Sequence, residues 1–374
     1  MEPFKNLISA ELVALIADQL AQCSDRKSAN RFSRTVLETL QELELKERVQ
    51  SIADALFEEL PDHSVERHAA LLGMLHPVVG IGFNRSSDTQ GIAGWGIWPL
   101  SLIVGQHGLD DFEGGMILLR EMTQRSTAEF AIRYFLIADQ QRALAIMSSW
   151  VEDDNEDVRR LVSEGTRPRL PWGMRLPSLV KDPRPTFSLL EALRDDPTEY
   201  VRRSVANHLN DVAKDHPELV VDIARRWYEN TSSEREKLLR HACRTLIKQG
   251  HQETLGLFGF PPAKADITPV NLSSERVSMG ESLTISVLIE SQSNKPQALS
   301  IDYVLHMLKA NGSSSQRVFK GSVIRLEAGA QMNFSRTHKF REVTTRRHYP
   351  GTHAVHLRIN GVDTPKTDFE LACA

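Results

Sequence analysis

Apolar positions recur at helical spacing along the first two thirds of the chain. Leu7, Ile8, Leu12, Leu15 and Ile16 form one stripe, Phe32, Val36, Leu40 and Leu43 a second, and Val49, Ile52 and Leu56 a third. Similar stripes continue over 189–247, so the region reads as a succession of amphipathic helices. The pattern breaks at 259–264, where Gly, Pro and Pro fall together. Beyond the break the period drops to two. Short β-rich runs at 283–289, 301–305, 318–326 and 352–359 are separated by Asn-Gly and Gly-rich turns.

The helical part carries an internal repeat. Asp153-Asp154 to Val158-Arg159-Arg160 recurs as Asp195-Asp196-Pro197 to Val201-Arg202-Arg203, 43 positions later, with a weaker echo at Leu239-Arg240-His241. That period, with Asp opening a second helix, Val packing inward and Arg on the inner surface, is what HEAT-type helix pairs show. The strand runs number some seven in about 110 residues and resemble an immunoglobulin-like sandwich, although the Cys and Trp signature of antibody domains is absent. The expected fold is therefore mainly α, a HEAT-like helical-repeat superhelix over 1–260 followed by a small all-β immunoglobulin-like sandwich over 265–374.

Composition narrows the function classes. With 374 residues and 41% hydrophobic content the chain can bury a sizeable core. It has no run of eighteen apolar residues and no signal-like N-terminus, which points away from membrane and secretory classes. Three widely separated cysteines, Cys23, Cys243 and Cys373, suit neither a disulfide framework nor a zinc site, and a cytoplasmic location is expected. Gly80-Ile-Gly-Phe lacks the setting of a dinucleotide fingerprint, and no Walker-type Gly-Lys-Ser/Thr exists. The thirteen histidines do not pair at zinc spacing, and His76, before Pro77, reads as a turn or core residue.

Charge singles out one segment. The formal net charge is −4, yet 159–184 carries seven basic residues (Arg159, Arg160, Arg167, Arg169, Arg175, Lys181, Arg184) against two acidic ones (Glu164, Asp182), a local +5. Asp154 or Asn155 is a credible N-cap for its helix, and Val158, Leu161 and Val162 supply the apolar stripe. Glu156, Arg160 and Glu164 share a face, and Gly165 ends the helix in a Pro-punctuated loop leading to Trp172. Such a segment suits a polyanion, so Arg159, Arg160, Arg167, Arg169, Trp172, Arg202 and Arg203 are candidate DNA contacts. The competing reading makes the repeat arginines structural ion pairs with neighbouring carboxylates.

Two segments read together are more specific. Thr-Ala-Glu-Phe-Ala-Ile-Arg-Tyr-Phe-Leu over 127–136 and the run from Asn155 to Trp172 resemble the signature of the AlkC branch of the AlkC/AlkD alkylpurine DNA glycosylases, a likeness extending over about 4–258. One departure is Tyr134, where the family pattern has Pro. The resemblance implies hydrolysis of the N-glycosidic bond of N3-alkylated bases in duplex DNA, chiefly 3-methyladenine and also 3-methylcytosine, with the base left stacked rather than flipped. It implies a role in base excision repair; with few lysines in the signature segments for Schiff-base chemistry, a monofunctional hydrolase without metal or cofactor, acting as a monomer, is expected. An appended sandwich is found in only some members.

The residues support that chemistry independently. A base alkylated at a ring nitrogen is already cationic and leaves without a strong acid, so the enzyme must stabilise an oxocarbenium-like sugar and position water, which carboxylates do. The candidates are Glu121, Glu156 and Glu129. Glu156 also fits as a first-turn acid facing the helix dipole, and Glu121 as a solvated partner of Arg125 at i+4. Trp95, Trp98 and Trp172 are the available indoles; Trp98, before Pro99, has a core role as its default. The tail from 261 carries 14 basic and 10 acidic side chains, leaving the helical part at −8. Arg346, Arg347 and His348, beside Pro350-Gly351, are expected to add DNA contact at a sandwich end, with a solvated basic loop as the plain alternative. A non-enzymatic HEAT scaffold is the other function consistent with the repeat.

Overall fold

The computed structural model describes residues 3–77, 86–342 and 347–373. The Gly80-Ile-Gly-Phe segment and Arg346 lie outside the described residues. Helices begin where capping side chains precede apolar stripes. Ser9 opens α1 (Ala10–Cys23) and Asp25 opens α2 (Arg26–Thr39), each accepting from a first-turn amide. Then come α3 (Leu45–Phe57), α4 (Ser64–Gly73), α5 (Ile97–His107), α6 (Phe112–Thr123), α7 (Ile132–Ala138) and α8 (Gln140–Ser148). They are followed by α9 (Glu156–Gly165), α10 (Pro177–Lys181), α11 (Phe187–Leu193) and α12 (Glu199–Val212). The last four are α13 (Pro217–Tyr228), α14 (Ser233–Ala242), α15 (Arg244–Gln249) and α16 (Gln252–Leu257).

The 43-residue repeat is visible as stacked helices, with α6 on α9, α9 on α12 and α12 on α14. Asn155 caps α9 by accepting from Asp157 and Val158, and Thr198 caps α12 by accepting from Val201. Asp153 and Asp196 stand two residues before these caps, each accepting the cap residue's amide. Bridges between successive repeats use the same aspartates. Arg120 of α6 reaches Asp153 at 2.8 Å, and Arg159 of α9 reaches Asp196 at 2.6 Å.

The described residues pack as two compact units, 1–216 with 231–242, and 217–230 with 243–374. Secondary structure changes between Leu257 and Ala265, yet packing assigns α13, α15 and α16 to the sandwich unit. That unit holds β1 (Ala265–Ile267), β2 (Asn271–Leu272), β3 (Arg276–Ser278), β4 (Ser282–Ser291) and β5 (Gln297–Leu308). It continues with β6 (Ser314–Leu326), β7 (Gln331–Lys339), β8 (Gly351–Ile359), β9 (Val362–Asp363) and β10 (Thr367–Ala372). One sheet pairs β4 with β1, β2 and β7; the other runs β3-β10-β8-β5-β6, with β9 on β8, and only β3 and β10 pair in parallel.

Period-two alternation sends Leu283, Ile285, Val287 and Ile289 of β4 against Ile301, Tyr303 and Leu305 of β5 and Val355, Leu357 and Ile359 of β8. The opposite face of β5 and β8 is buried as well. There Arg358 donates to the Lys248 carbonyl at the end of α15 and pairs with Asp363. No helix among the described residues is long and apolar enough to cross a membrane.

Candidate active site

The signature residues converge through the turn before α7 and the loop after α9. Arg133, in the first turn of α7, is fully buried and donates to the carbonyls of Gly165 (2.9 Å), Arg167 (2.8 Å) and Met174 (2.6 Å). Burial pulls its guanidinium down to about 10, which leaves it charged at neutral pH. Gly165 must be small here, because a Cβ would come within 2.6 Å of the Ile132 side chain. Tyr134, the departure from the family's Pro, also stands in this first turn, where its N–H bonds only to Ala131. Proline is tolerated in a first helical turn, so either residue starts the helix without a bend.

The loop that Arg133 organises carries Trp172 in the left-handed region at φ 65°, with its carbonyl held by Lys46 Nζ at 2.8 Å. The residue is 56% exposed, and its ring stands edge-on to Phe4, 6.4 Å between centroids. Phe4 stacks on Trp95 (6.1 Å), Trp95 leans on Trp98 (6.2 Å) and Trp98 stacks on Phe130 (5.0 Å). The default core role for Trp98 is therefore corrected: it is half-buried and forms part of a wall.

Trp95, Trp98, Phe130 and Trp172 border a cleft of about 340 Å³ whose lining also includes Glu129, Glu164 and Arg167. Glu129 sits on the turn before α7. Its Oε2 accepts from Thr127 Oγ1 (2.6 Å) and faces Arg160 Nη1 (2.9 Å). Glu164 is 5% exposed in the last turn of α9, where the helix dipole disfavours a carboxylate. Compensation is correspondingly heavy. Oε1 takes Arg167 at 2.6 Å and Arg160 at 3.6 Å, and Oε2 takes Ser204 Oγ at 2.6 Å. Arg167 continues to Asp211 at 2.8 Å, and Lys214 meets the other Asp211 oxygen at 2.8 Å. Burial alone would lower the Arg160 guanidinium, but Glu129 and then Glu164 outweigh it and the net shift is upward.

The aromatic wall and two carboxylates thus share one cleft, which suits a cation or a developing positive charge. The chain is similar over 99% of its length to the Pseudomonas fluorescens alkylpurine DNA glycosylase AlkC, solved bound to DNA containing an abasic site analog. The two are 36% identical with a TM-score of 0.82, and the whole of that chain is covered. The chain belongs to the AlkC branch of the DNA alkylation repair enzymes. The DNA alkylation repair enzyme family matches residues 126–246, and the family described as "Uncharacterised protein YhaZ, C-terminal Ig-like domain" matches 266–373. The Bacillus subtilis protein YhaZ, described as uncharacterised, is 36% identical over 373 residues, 99% of this chain and 100% of that one.

In this AlkC-branch chain, only one of the three carboxylates expected from sequence, Glu129, lines the aromatic cleft. Glu121 lies between Arg120 (3.1 Å) and Arg125 (3.3 Å), which is the i+4 pairing weighed against a catalytic role. Glu156 occupies the first turn of α9, at the opposite end of that helix from Glu164. Glu164, missed as a catalytic candidate, has a sequence signal in hindsight: an acid in a last helical turn, directly before Gly165.

The arginines require a second correction, because the local +5 is offset by acids from neighbouring segments. Arg159 is buried, bidentate to Asp196 and bonded to the carbonyls of Asp153 and Asp154, so it bridges repeats. Arg160 and Arg167 face the site carboxylates, and Arg169 pairs with Asp215 at 2.7 Å near the surface. Arg202 and exposed Arg203 line a second groove of about 440 Å³ with Lys237 and His241. In the sandwich unit, exposed Arg347 lies 5.9 Å from the Tyr349 ring centroid, and His348 is edge-on to Phe340.

Proposed function

We propose that this chain hydrolyses the N-glycosidic bond of N3-alkylated purines in DNA, chiefly 3-methyladenine, as a monofunctional alkylpurine glycosylase acting in the cytoplasm. The observation that carries the reading is the pairing of Glu129 and Glu164 with an aromatic wall in one cleft. The N3-methylated base is a cation while attached to the sugar. As the C1′–N bond breaks, the base takes the bonding pair and departs neutral, and positive charge develops on the deoxyribose. Glu129 and Glu164 face that charge. Water adds its oxygen to C1′ and gives its proton to a carboxylate. Glu129 suits this task, since its Oε1 has no protein partner among the described residues.

Among the described residues that line the cleft there is no Asn or Gln to read a base edge, which favours approach to the sugar of a stacked base over capture of a flipped one. Exposed Arg203 and Lys237 are candidate backbone contacts in the helical unit, and exposed Arg347 is a candidate within the sandwich unit. The test is release of free 3-methyladenine from methylated duplex DNA by the full-length protein, with borohydride trapping in parallel. Base release without a trapped adduct supports the reading. Binding without release would make the protein a HEAT scaffold.

A further inference from the structure

Resting on that reading of Glu164, we infer that Ser204 is a positioning residue that fixes the Glu164 carboxylate for the reaction. Ser204 stands on α12, one repeat beyond α9, and is 2% exposed. Aligning Val158-Arg159-Arg160 with Val201-Arg202-Arg203 puts Ser204 opposite Leu161, a fully buried core residue. The repeat therefore calls for an apolar side chain at 204. A hydroxyl in its place forfeits apolar burial and needs a partner.

The hydroxyl has one proton, and its neighbours determine where it goes. Glu164 Oε2, 2.6 Å away, is acceptor-only when ionised, so Ser204 donates to it. The Ser204 oxygen in turn accepts from Ser163 Oγ at 2.7 Å, a side chain with no exposed surface. Arg167 holds the other oxygen of the same carboxylate. Glu164 is thereby clamped at both oxygens from two directions, one within its own loop and one from the adjacent repeat. Rotation of the carboxylate about its terminal torsion, otherwise broad, is blocked. A carboxylate that must face a developing charge gains from this kind of preorganisation.

The experiment compares full-length wild type, Ser204→Ala, Ser204→Cys, Glu164→Gln and the Ser204→Ala/Glu164→Gln double variant. Single-turnover release of 3-methyladenine is measured beside DNA binding titrations and thermal melts. Ser204→Ala is expected to lower the single-turnover rate constant by about tenfold to a hundredfold and to leave the dissociation constant and melting temperature close to wild type. Ser204→Cys keeps the volume with a much weaker donor and should lose rate similarly; it carries the test if the alanine variant does not fold. In the Glu164→Gln background the Ser204→Ala change should add less than about twofold, because its effect runs through the Glu164 carboxylate. A full additional loss in that background, or a rate loss matched by weaker binding, would assign Ser204 a structural role and overturn the inference. A wild-type rate in Ser204→Ala beside a crippled Glu164→Gln overturns the inference alone. A wild-type rate in Glu164→Gln overturns the reading of the site as well.

Discussion

Arg160 Nη1 lies 2.9 Å from Glu129 Oε2, so the second arginine of a repeat signature closes onto the turn that precedes α7. Its other terminal nitrogen faces Glu164. One guanidinium thus holds two carboxylates from different segments at a common cleft, and the cation–π contact to Tyr200, 5.0 Å from the ring centroid, steadies it from α12.

Replacing either of those carboxylates by its amide should lower single-turnover base release by roughly a hundredfold, with DNA affinity within a factor of a few of wild type, because a group aimed at developing charge acts mainly in the transition state. Glu121→Gln and Glu156→Gln should change the rate by less than about threefold. Rates from four variants on one methylated duplex decide the assignment, and a large loss at Glu121 or Glu156 would reverse it.

Arg159 and Arg203 should separate cleanly. Arg159→Ala leaves Asp196 buried and uncompensated, at a cost of about 3 kcal/mol, so denaturant unfolding should shift while the salt dependence of DNA binding keeps its slope. Arg203→Ala should leave unfolding unchanged and flatten the slope by about one unit. An unfolding midpoint for Arg159→Ala equal to wild type would mean that the bridge contributes nothing.

His208 gives the fold a pH dependence. It is fully buried, with Nδ1 3.0 Å from the Ser163 carbonyl and Nε2 3.3 Å from Thr186 Oγ1, and burial pushes its pKa down to about 4. In the unfolded chain the imidazole takes a proton near pH 6.5. The unfolded state therefore binds more protons between pH 6.5 and 4, and stability falls through that window as the solution is acidified, by about 3 kcal/mol. Unfolding free energies at a series of pH values should show the slope, and His208→Asn should lower it by the contribution of one imidazole, leaving that of His338, which burial likewise pushes down to about 4.

Trp172 occupies a backbone conformation that costs a side-chain-bearing residue about 1 kcal/mol. Trp172→Gly should accordingly be more stable than Trp172→Ala by about that amount, while both lose the ring that borders the cleft and release base more slowly. Equal stability of the two variants would show that the loop relaxes out of the left-handed region.

Periodicity is a local property, and it located the elements well. The stripe at Leu12 and Ile16 falls in α1, that at Phe32 and Val36 in α2, and the strand run 283–289 inside β4. Strand β7, with the polar sequence Gln-Met-Asn-Phe-Ser-Arg-Thr-His-Lys, carries little alternation and gave no comparable signal. The site was less legible because its electrostatics are not local. Counting charges over 159–184 finds a basic stretch, but Glu129, Asp196, Asp211 and Asp215, the acids that answer it, lie 30 or more residues from their partners. Ser204 shows the converse. It is unremarkable by composition and becomes visible only when the repeats are aligned and its core position meets a hydroxyl.

The inter-repeat bridges at Asp153 and Asp196 also bear on how the molecule opens. Each ties a helix to the loop that starts the next repeat, so neighbouring repeats gain or lose protection together while distant ones are coupled only through the chain between them. The cleft takes Glu129 from before α7 and Glu164 from α9, and Ser204 of α12 backs Glu164 from the next repeat. Amide hydrogen exchange in α9 and α12 should therefore report one shared opening event, and heat inactivation should follow that event rather than fraying of α1 or unravelling of the sandwich.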